Sequence, residues 1–367
     1  MQGDPLADDV VKMYKRLPAG QGRRLLDQAL NKGIGSIKKP PAELVALFAQ
    51  IDSHPMWLNP ALMKKAAFVA QRSVFSSDFV LRDFALMGGY QSAAFTKPLV
   101  FTGDLDGGAH NRLVETTEFW ADATRPGGMD RFADGFKSAV MARIMNALLR
   151  QRMEVSSDWD SEQWGLPINQ ADLISTSISF SFLFILGQRM QGYRFSKDEV
   201  RATLHLWKYI GYVMGADVSE LPTTEEEARR MLYLITLTLP APDEESRKLA
   251  RALKNKPLEE ARAPWQKWLV MQSAKLHDGY SYYFMGRDMC QTLGLKESRY
   301  RWLPLATLPA IYGLETLRMR LPYGNHVASA AGVRYQELEK KLTIKSRPAK
   351  HQSVVSLDKQ RAKAANG

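Results

Sequence analysis

The chain has 367 residues, 45% of them hydrophobic and 24% charged, which is the composition of a globular protein long enough to bury a sizeable core. A single cysteine, Cys290, excludes an internal disulfide framework and a CxxC metal site. The net charge of +11 raises nucleic acid or an anionic surface as partners, but residues 344–367 hold six Lys/Arg against one Asp. Nearly half of the excess thus sits in a basic tail expected to be disordered, which argues against a nucleic-acid role for the body.

In chain order, the first stretch, MQGDPLADDVVKMYKRLP, is acidic and lacks the apolar centre of a signal peptide. Amphipathic helices are expected from Asp8 to Lys15 and from Gly22 to Leu30, with another starting near Pro41. A long helical pattern follows from Pro60 through Phe84, broken by Gly88-Gly89-Tyr90. Phe95 to Gly103 is the one β-like run, and its proline and following glycines argue against a sheet. Asn111 to Ala121 reads as helical.

The next stretch, Ala139 to Arg150 (AVMARIMNALLR), puts Ala139, Arg143, Asn146 and Arg150 on one helical face, with apolar residues on the others. A helix apolar nearly all round belongs in an interior, so its two guanidiniums and its amide need partners. Those partners could come from another helix or from an anionic cofactor.

Trp159, Trp164 and Gly165 fall in a loop. Helix starts are then marked by Asn169 with Asp172, by Ser196 with Glu199, by Thr223 with Glu226 and by Pro242-Asp243. Leu173 to Gln188, rich in serine and threonine, is too short for a spanning segment and reads as a buried helix. Ala263 to Met319 is helical with breaks at Gly279, Gly286, Gly294 and Pro304. The expectation is an all-α fold, one domain over residues 1–343 followed by the tail, in a cytoplasmic protein with no transmembrane segment.

The six histidines stand far apart, which speaks against a zinc or di-iron centre. Arg112, Glu115 and Thr116 on one helical stretch read either as a surface Arg–Glu pair or as a polar cluster facing a pocket. Asn169 and Asp172 read mainly as capping chemistry. His205, alone among apolar residues, reads more naturally as a hydrogen-bonded core residue than as a ligand.

Four segments, the RxxxT of Arg112 and Thr116, RIMNALLR, GLPINQADLISTSISFSF and HLWKYIGYVMGADVSELP, together resemble the rubber-oxygenase (latex-clearing protein) and MpaB family of haem oxygenases from about Phe84 to Pro222. The resemblance implies a single large helical bundle with globin-like packing around a central pocket that holds haem b. It also implies dioxygen chemistry on an apolar, isoprenoid-like alkene. Arg112, Glu115 and Thr116 would then be catalytic, with Thr116 and Arg112 lining the distal pocket and Glu115 accepting a proton if burial raises its pKa. Arg143 and Arg150 would pair with propionates.

Asn146 stands where the family has its haem-ligating histidine, and Glu115 stands where the rubber oxygenases have a lysine. Three outcomes stay open. Haem could be held mainly through its porphyrin, His205 could replace the axial ligand, or the haem could be gone. The last would leave a haem-free member of the same fold binding a lipid or prenyl chain.

Overall fold

A computed structural model describes residues 2–101, 105–157, 159–238, 240–260 and 263–346, so residues 344–346 of the tail expected to be disordered are helical and the rest of it lies outside the described residues. Among the described residues there is no strand, as the patterning predicts. The helices in order are α1 (Pro5–Arg16), α2 (Gln21–Lys32), α3 (Ala42–Ile51), α4 (Pro60–Arg72), α5 (Ser77–Val80), α6 (Met87–Gly89) and α7 (Ala93–Phe101). Then come α8 (Leu105–Thr124), α9 (Asp134–Met153), α10 (Ser161–Trp164), α11 (Gln170–Ile178), α12 (Phe184–Met190) and α13 (Lys197–Val213). The last six are α14 (Glu225–Thr238), α15 (Glu244–Glu260), α16 (Pro264–Met285), α17 (Arg287–Thr292), α18 (Leu303–Arg320) and α19 (Gly324–Ser346). One π-helical turn, Leu81–Leu86, joins α5 to α6, and another, Ser179–Leu183, joins α11 to α12.

The core is drawn from α1 to α4, α8, α9, α11 to α13 and α16. At its centre are Phe48, Phe136, Ile144, Phe184 and Ile210, each almost wholly buried. The segment Gln170–Met190 is long and apolar enough to cross a membrane by length and composition. In the bundle it packs on α13, and four of its hydroxyls are satisfied internally: Ser175, Thr176, Ser179 and Ser181 each donate to the carbonyl four residues back.

The local expectations fail where side chains compete for the backbone or where helices touch. The pattern from Pro60 to Phe84 is helical but interrupted at Ser73, whose Oγ donates to the Val69 carbonyl and whose carbonyl accepts from Gln188 Nε2, and it resumes through a 3-10 turn at Val74–Ser76 into α5. As the proline argued, Phe95 to Phe101 is not a strand: it lies in the helix Ala93–Phe101, which accommodates Pro98, and the rest of that run lies outside the described residues. The start of α14 lies one residue on from Thr223. There Thr224 Oγ1 accepts from Glu227 N, and the Glu227 carboxylate accepts from both Thr223 and Thr224.

Gly279 breaks nothing. It sits inside α16, where an added Cβ would come within 2.6 Å of the Tyr300 backbone, so glycine here permits a close approach. Cys290 is fully buried, with its thiol pushed up to about 12 by desolvation, so it is a packing residue and not a nucleophile.

Candidate functional site

The face of α9 that carries Arg143, Asn146 and Arg150 meets α1, whose start was legible as acidic but not as a partner. Asp4 caps α1 by accepting from Ala7 N, and its two oxygens face Arg143 as a fork: Nε to Oδ2 at 2.6 Å and Nη2 to Oδ1 at 2.8 Å. The remaining nitrogen of Arg143 donates to Gln50 Oε1 and to the Val213 carbonyl. Both side chains are buried, at 2% and 4% exposure. One turn further along α1, Asp8 Oδ1 accepts from Arg150 Nη1 at 2.5 Å. Burial pushes the Asp8 carboxyl above its usual range, and the adjacent guanidinium only partly offsets this.

The other two nitrogens of Arg150 donate to the carbonyls of Pro167 and Ile168. Ile168 holds a φ of +50°, a conformation β-branched residues rarely adopt, and this arginine ties the turn down from both carbonyls. Gln170 completes the clasp: its amide donates to the Gly3 and Gly215 carbonyls and its oxygen accepts from Asp217 N. The N-terminus, the PINQ turn and the end of α13 are therefore joined at one buried polar knot. The propionate role implied for Arg143 and Arg150 is filled by Asp4 and Asp8, because every guanidinium nitrogen already has a protein acceptor.

Asn169 and Asp172 form the expected reciprocal cap on α11, with Asp172 Oδ2 accepting from Asn169 N at 2.9 Å. Desolvation raises the Asp172 carboxyl from 3.8 to about 6. In the unfolded chain this proton is released near pH 4, so the stability gained from holding it is complete below that pH and is lost as pH rises through about 6. Wild-type stability is expected to fall across that interval through this group. In Asp172→Asn, which keeps an oxygen acceptor for Asn169 N, the fall should be visibly shallower in urea titrations. A carboxyl carbon titrating near 4 by NMR would contradict the assignment.

The other candidates separate. The side chain of Arg112 lies outside the described residues. Glu115 is exposed: on α8 it faces away from the side that Trp120 buries. Thr116 is half-buried, one turn before Trp120. Asn146 is also half-buried on α9.

His205 is taken by local structure. Its Nε2 accepts from Asn59 N at 2.9 Å, completing the cap of α4, and Trp57 stands edge-on to its ring at 5.7 Å. Burial, with Lys208 and Arg201 nearby, holds its pKa below the usual value, so the ring is neutral at pH 7.

Beside Thr116 the interior is aromatic. Trp120 and Phe184 pack at 5.3 Å, and Phe180 stacks on Trp207 at 4.9 Å. Between α4, α8, α12 and α13 lies a small cavity of about 10 Å³, lined by Val69, Trp120, Phe184, Leu206 and Trp207 among others. That is room for about one water. Two threonines in its wall, Thr124 and Thr203, spend their hydroxyls on their own helices, which leaves an apolar surface.

As a donor set for haem the residues do not fit. Asn146, where the resemblance puts the axial ligand, is an amide, Arg143 and Arg150 are paired with carboxylates, and His205 Nε2 is taken by Asn59 N. Among the described residues no group of three or more His, Cys, Asp or Glu could hold a metal ion.

Sequence reasoning missed Asp4, Asp8, Gln50 and Gln170, the partners that make α9 tolerable inside the bundle. The available signal was the spacing of Asp4 and Asp8, one helical turn apart at the head of α1.

Comparison with known proteins bears on the fold and the family. Residues 77–313 match the family described as ER-bound oxygenase mpaB/B'/Rubber oxygenase, catalytic domain. A rubber oxygenase of Streptomyces sp. (strain K30) is 24% identical over 209 residues, 55% of this chain, and the match spans about half (48%) of the length of that relative. The solved structure of latex clearing protein LCP in the closed state superposes with a TM-score of 0.70 at 19% identity, covering 90% of both chains, which shows a shared fold. The family match takes in α5 to α17 and most of α18, including both α9 and the PINQ turn, and on that extent the chain belongs to the MpaB and rubber oxygenase family.

Proposed function

We propose that this chain holds an apolar ligand, an isoprenoid-like alkene or a lipid, within the bundle without a haem iron ligated at position 146. The observation that carries this reading is Asn146 itself. Haem iron is held by imidazole, thiolate, thioether or phenolate, and a neutral amide oxygen gives it little electron density. Arg143 and Arg150 are engaged by carboxylates and carbonyls, and His205 Nε2 by Asn59 N. The aromatic surface between α4, α8, α12 and α13 sets the chemistry of that ligand as apolar, and its cavity of about 10 Å³ has to widen, with Trp120, Phe184 and Trp207 repacking, before a chain enters. We take residues 1–343 as one domain and the cytoplasm as its compartment.

Membership of an oxygenase family, with Arg112 and Thr116 retained, supports a second reading. In it the chain is a haem-dependent oxygenase that cleaves or oxygenates an apolar alkene with dioxygen, with haem b held through its porphyrin. Absorption from 350 to 650 nm before and after dithionite, together with native mass spectrometry, separates the two. The first reading expects no Soret band and a lipid-sized adduct. A Soret band in the purified protein overturns it in favour of the second.

Restoring the ligand by Asn146→His is then expected to produce a Soret band on reconstitution with haem, at least tenfold above wild type at equal protein. Failure to gain one would mean that the space itself, and not only the ligand, has changed.

A further inference from the structure

Helix α18 is built inside out. The side turned toward the body carries its charges: Glu315 and Arg318, at 7% and 8% exposure, bond to each other at 2.7 and 2.8 Å, and Glu315 also accepts from Arg194 N. The side turned outward is apolar, and Arg320 is the one charged residue among its exposed positions. Leu314 is 67% exposed, Leu317 53%, Met319 52% and Leu321 51%, with Tyr323 beyond at 72% and Trp302 before the helix at 58%. A surface helix in water normally shows the opposite arrangement. Scattered exposed leucines need no explanation, but a contiguous apolar helix face whose polar residues have been turned inward implies that something covers it.

The composition of the rim decides what. Trp302, Tyr312 and Tyr323 flank the leucines, and these amphipathic rings favour the boundary between water and acyl chains. The exposed cations Lys296, Arg299, Arg320 and Arg334 lie on α18, on α19 and in the segment before α18. Lys345 at the end of α19 and, in the sequence that follows it, Arg347, Lys350, Lys359, Arg361 and Lys363 add to these against a lone Asp358. An apolar face bordered by aromatic rings and continued by a positively charged tail is complementary to an anionic bilayer, not to an identical basic surface on a second copy of the chain.

We infer that α18 and the start of α19 dock this protein on an anionic membrane, with the apolar face of α18 lying in the headgroup–acyl boundary and not spanning it. The inference is independent of which ligand the bundle holds.

The test is flotation of the full chain with vesicles of phosphatidylcholine containing one-fifth phosphatidylserine, against pure phosphatidylcholine, at low and high salt. Binding is expected to the anionic vesicles, weakened about tenfold or more without phosphatidylserine and by raised salt, since each cation near the surface counts for roughly a fivefold change. The double variant Leu314→Glu/Leu317→Glu should lose at least tenfold in partitioning while keeping the wild-type circular dichroism and melting temperature, because both positions are exposed. Should that variant misfold, Tyr323→Glu, outside α18, is expected to weaken binding in the same direction. Equal binding to neutral vesicles overturns the inference. So does a concentration-dependent dimer that the double variant converts to monomer, with no vesicle binding by wild type.

Discussion

Asp4→Ala is expected to destabilise the fold by about 3–5 kcal/mol, the scale for removing one partner of a buried ion pair and leaving the other charge in place. The geometry puts this variant at the upper end for a single substitution. Asp4 is 4% exposed, bonds Arg143 through both oxygens, and also caps α1. Its removal leaves a guanidinium inside a helix whose neighbours are Val140, Ile144 and Ala147, all buried. Urea denaturation measures the loss. The charge argument is separated from the cap by Asp4→Ala/Arg143→Met, in which no charge is stranded, so that much of the stability should return. A single variant within 1 kcal/mol of wild type would mean that the pair is not what makes α9 tolerable in the interior.

Gly215→Ala is the second large expected loss, of about 2–4 kcal/mol, and it has two additive causes. The residue ends α13 with a φ of +86°, in the left-handed region, where a side chain costs about 1–2 kcal/mol. An added Cβ would also stand within 2.2 Å of Asp4 Oδ2 and 2.7 Å of Arg143 Nε, so it must push the ion pair apart. The two causes separate in a double-mutant cycle. In an Asp4→Ala background the clash with the carboxylate disappears and only that with Arg143 Nε remains, so Gly215→Ala should cost less there than in the wild type. Full additivity between the two substitutions would show that the methyl group never reaches the pair.

Much of the fold was legible because it depends on local rules. The caps at Asn169 and Ser196 could be read from their spacing and stand as expected, as does the interior helix around Arg143. The failures lie where a distant residue decides. The capping box of Ser196 and Glu199 could be seen, but not that Glu199 also pairs with the buried Arg72, some 127 positions earlier. Gly279 looked like a break because its reason, the close passage of Tyr300, comes from another segment.

The candidate site divides in the same way. Position 146 and its flanking arginines could be singled out from α9 alone, whereas their acceptors come from the head of α1 and from the PINQ turn. A guanidinium waiting for a propionate and one already held by an aspartate give the same pattern in one strand of text. Glu115 was assigned a role that required burial, and helical spacing does not say which face of α8 the neighbouring helices will cover.

The two π-helical turns carry a consequence for how this chain can vary. Each widens one turn of an otherwise continuous helical rod by a single residue, at Leu81–Leu86 and at Ser179–Leu183, and the two lie against each other. Deleting one residue from either would restore ordinary helical register there but rotate everything beyond it by about 100°. Past the second turn lies Gly187, where a Cβ would meet Val80 at 2.6 Å and Phe84 at 3.1 Å, so the rotated rod would present a bulkier residue to that crossing. Substitutions can accumulate along these two rods, but length changes cannot, and divergent relatives that keep this crossing should differ here in spelling rather than in residue number.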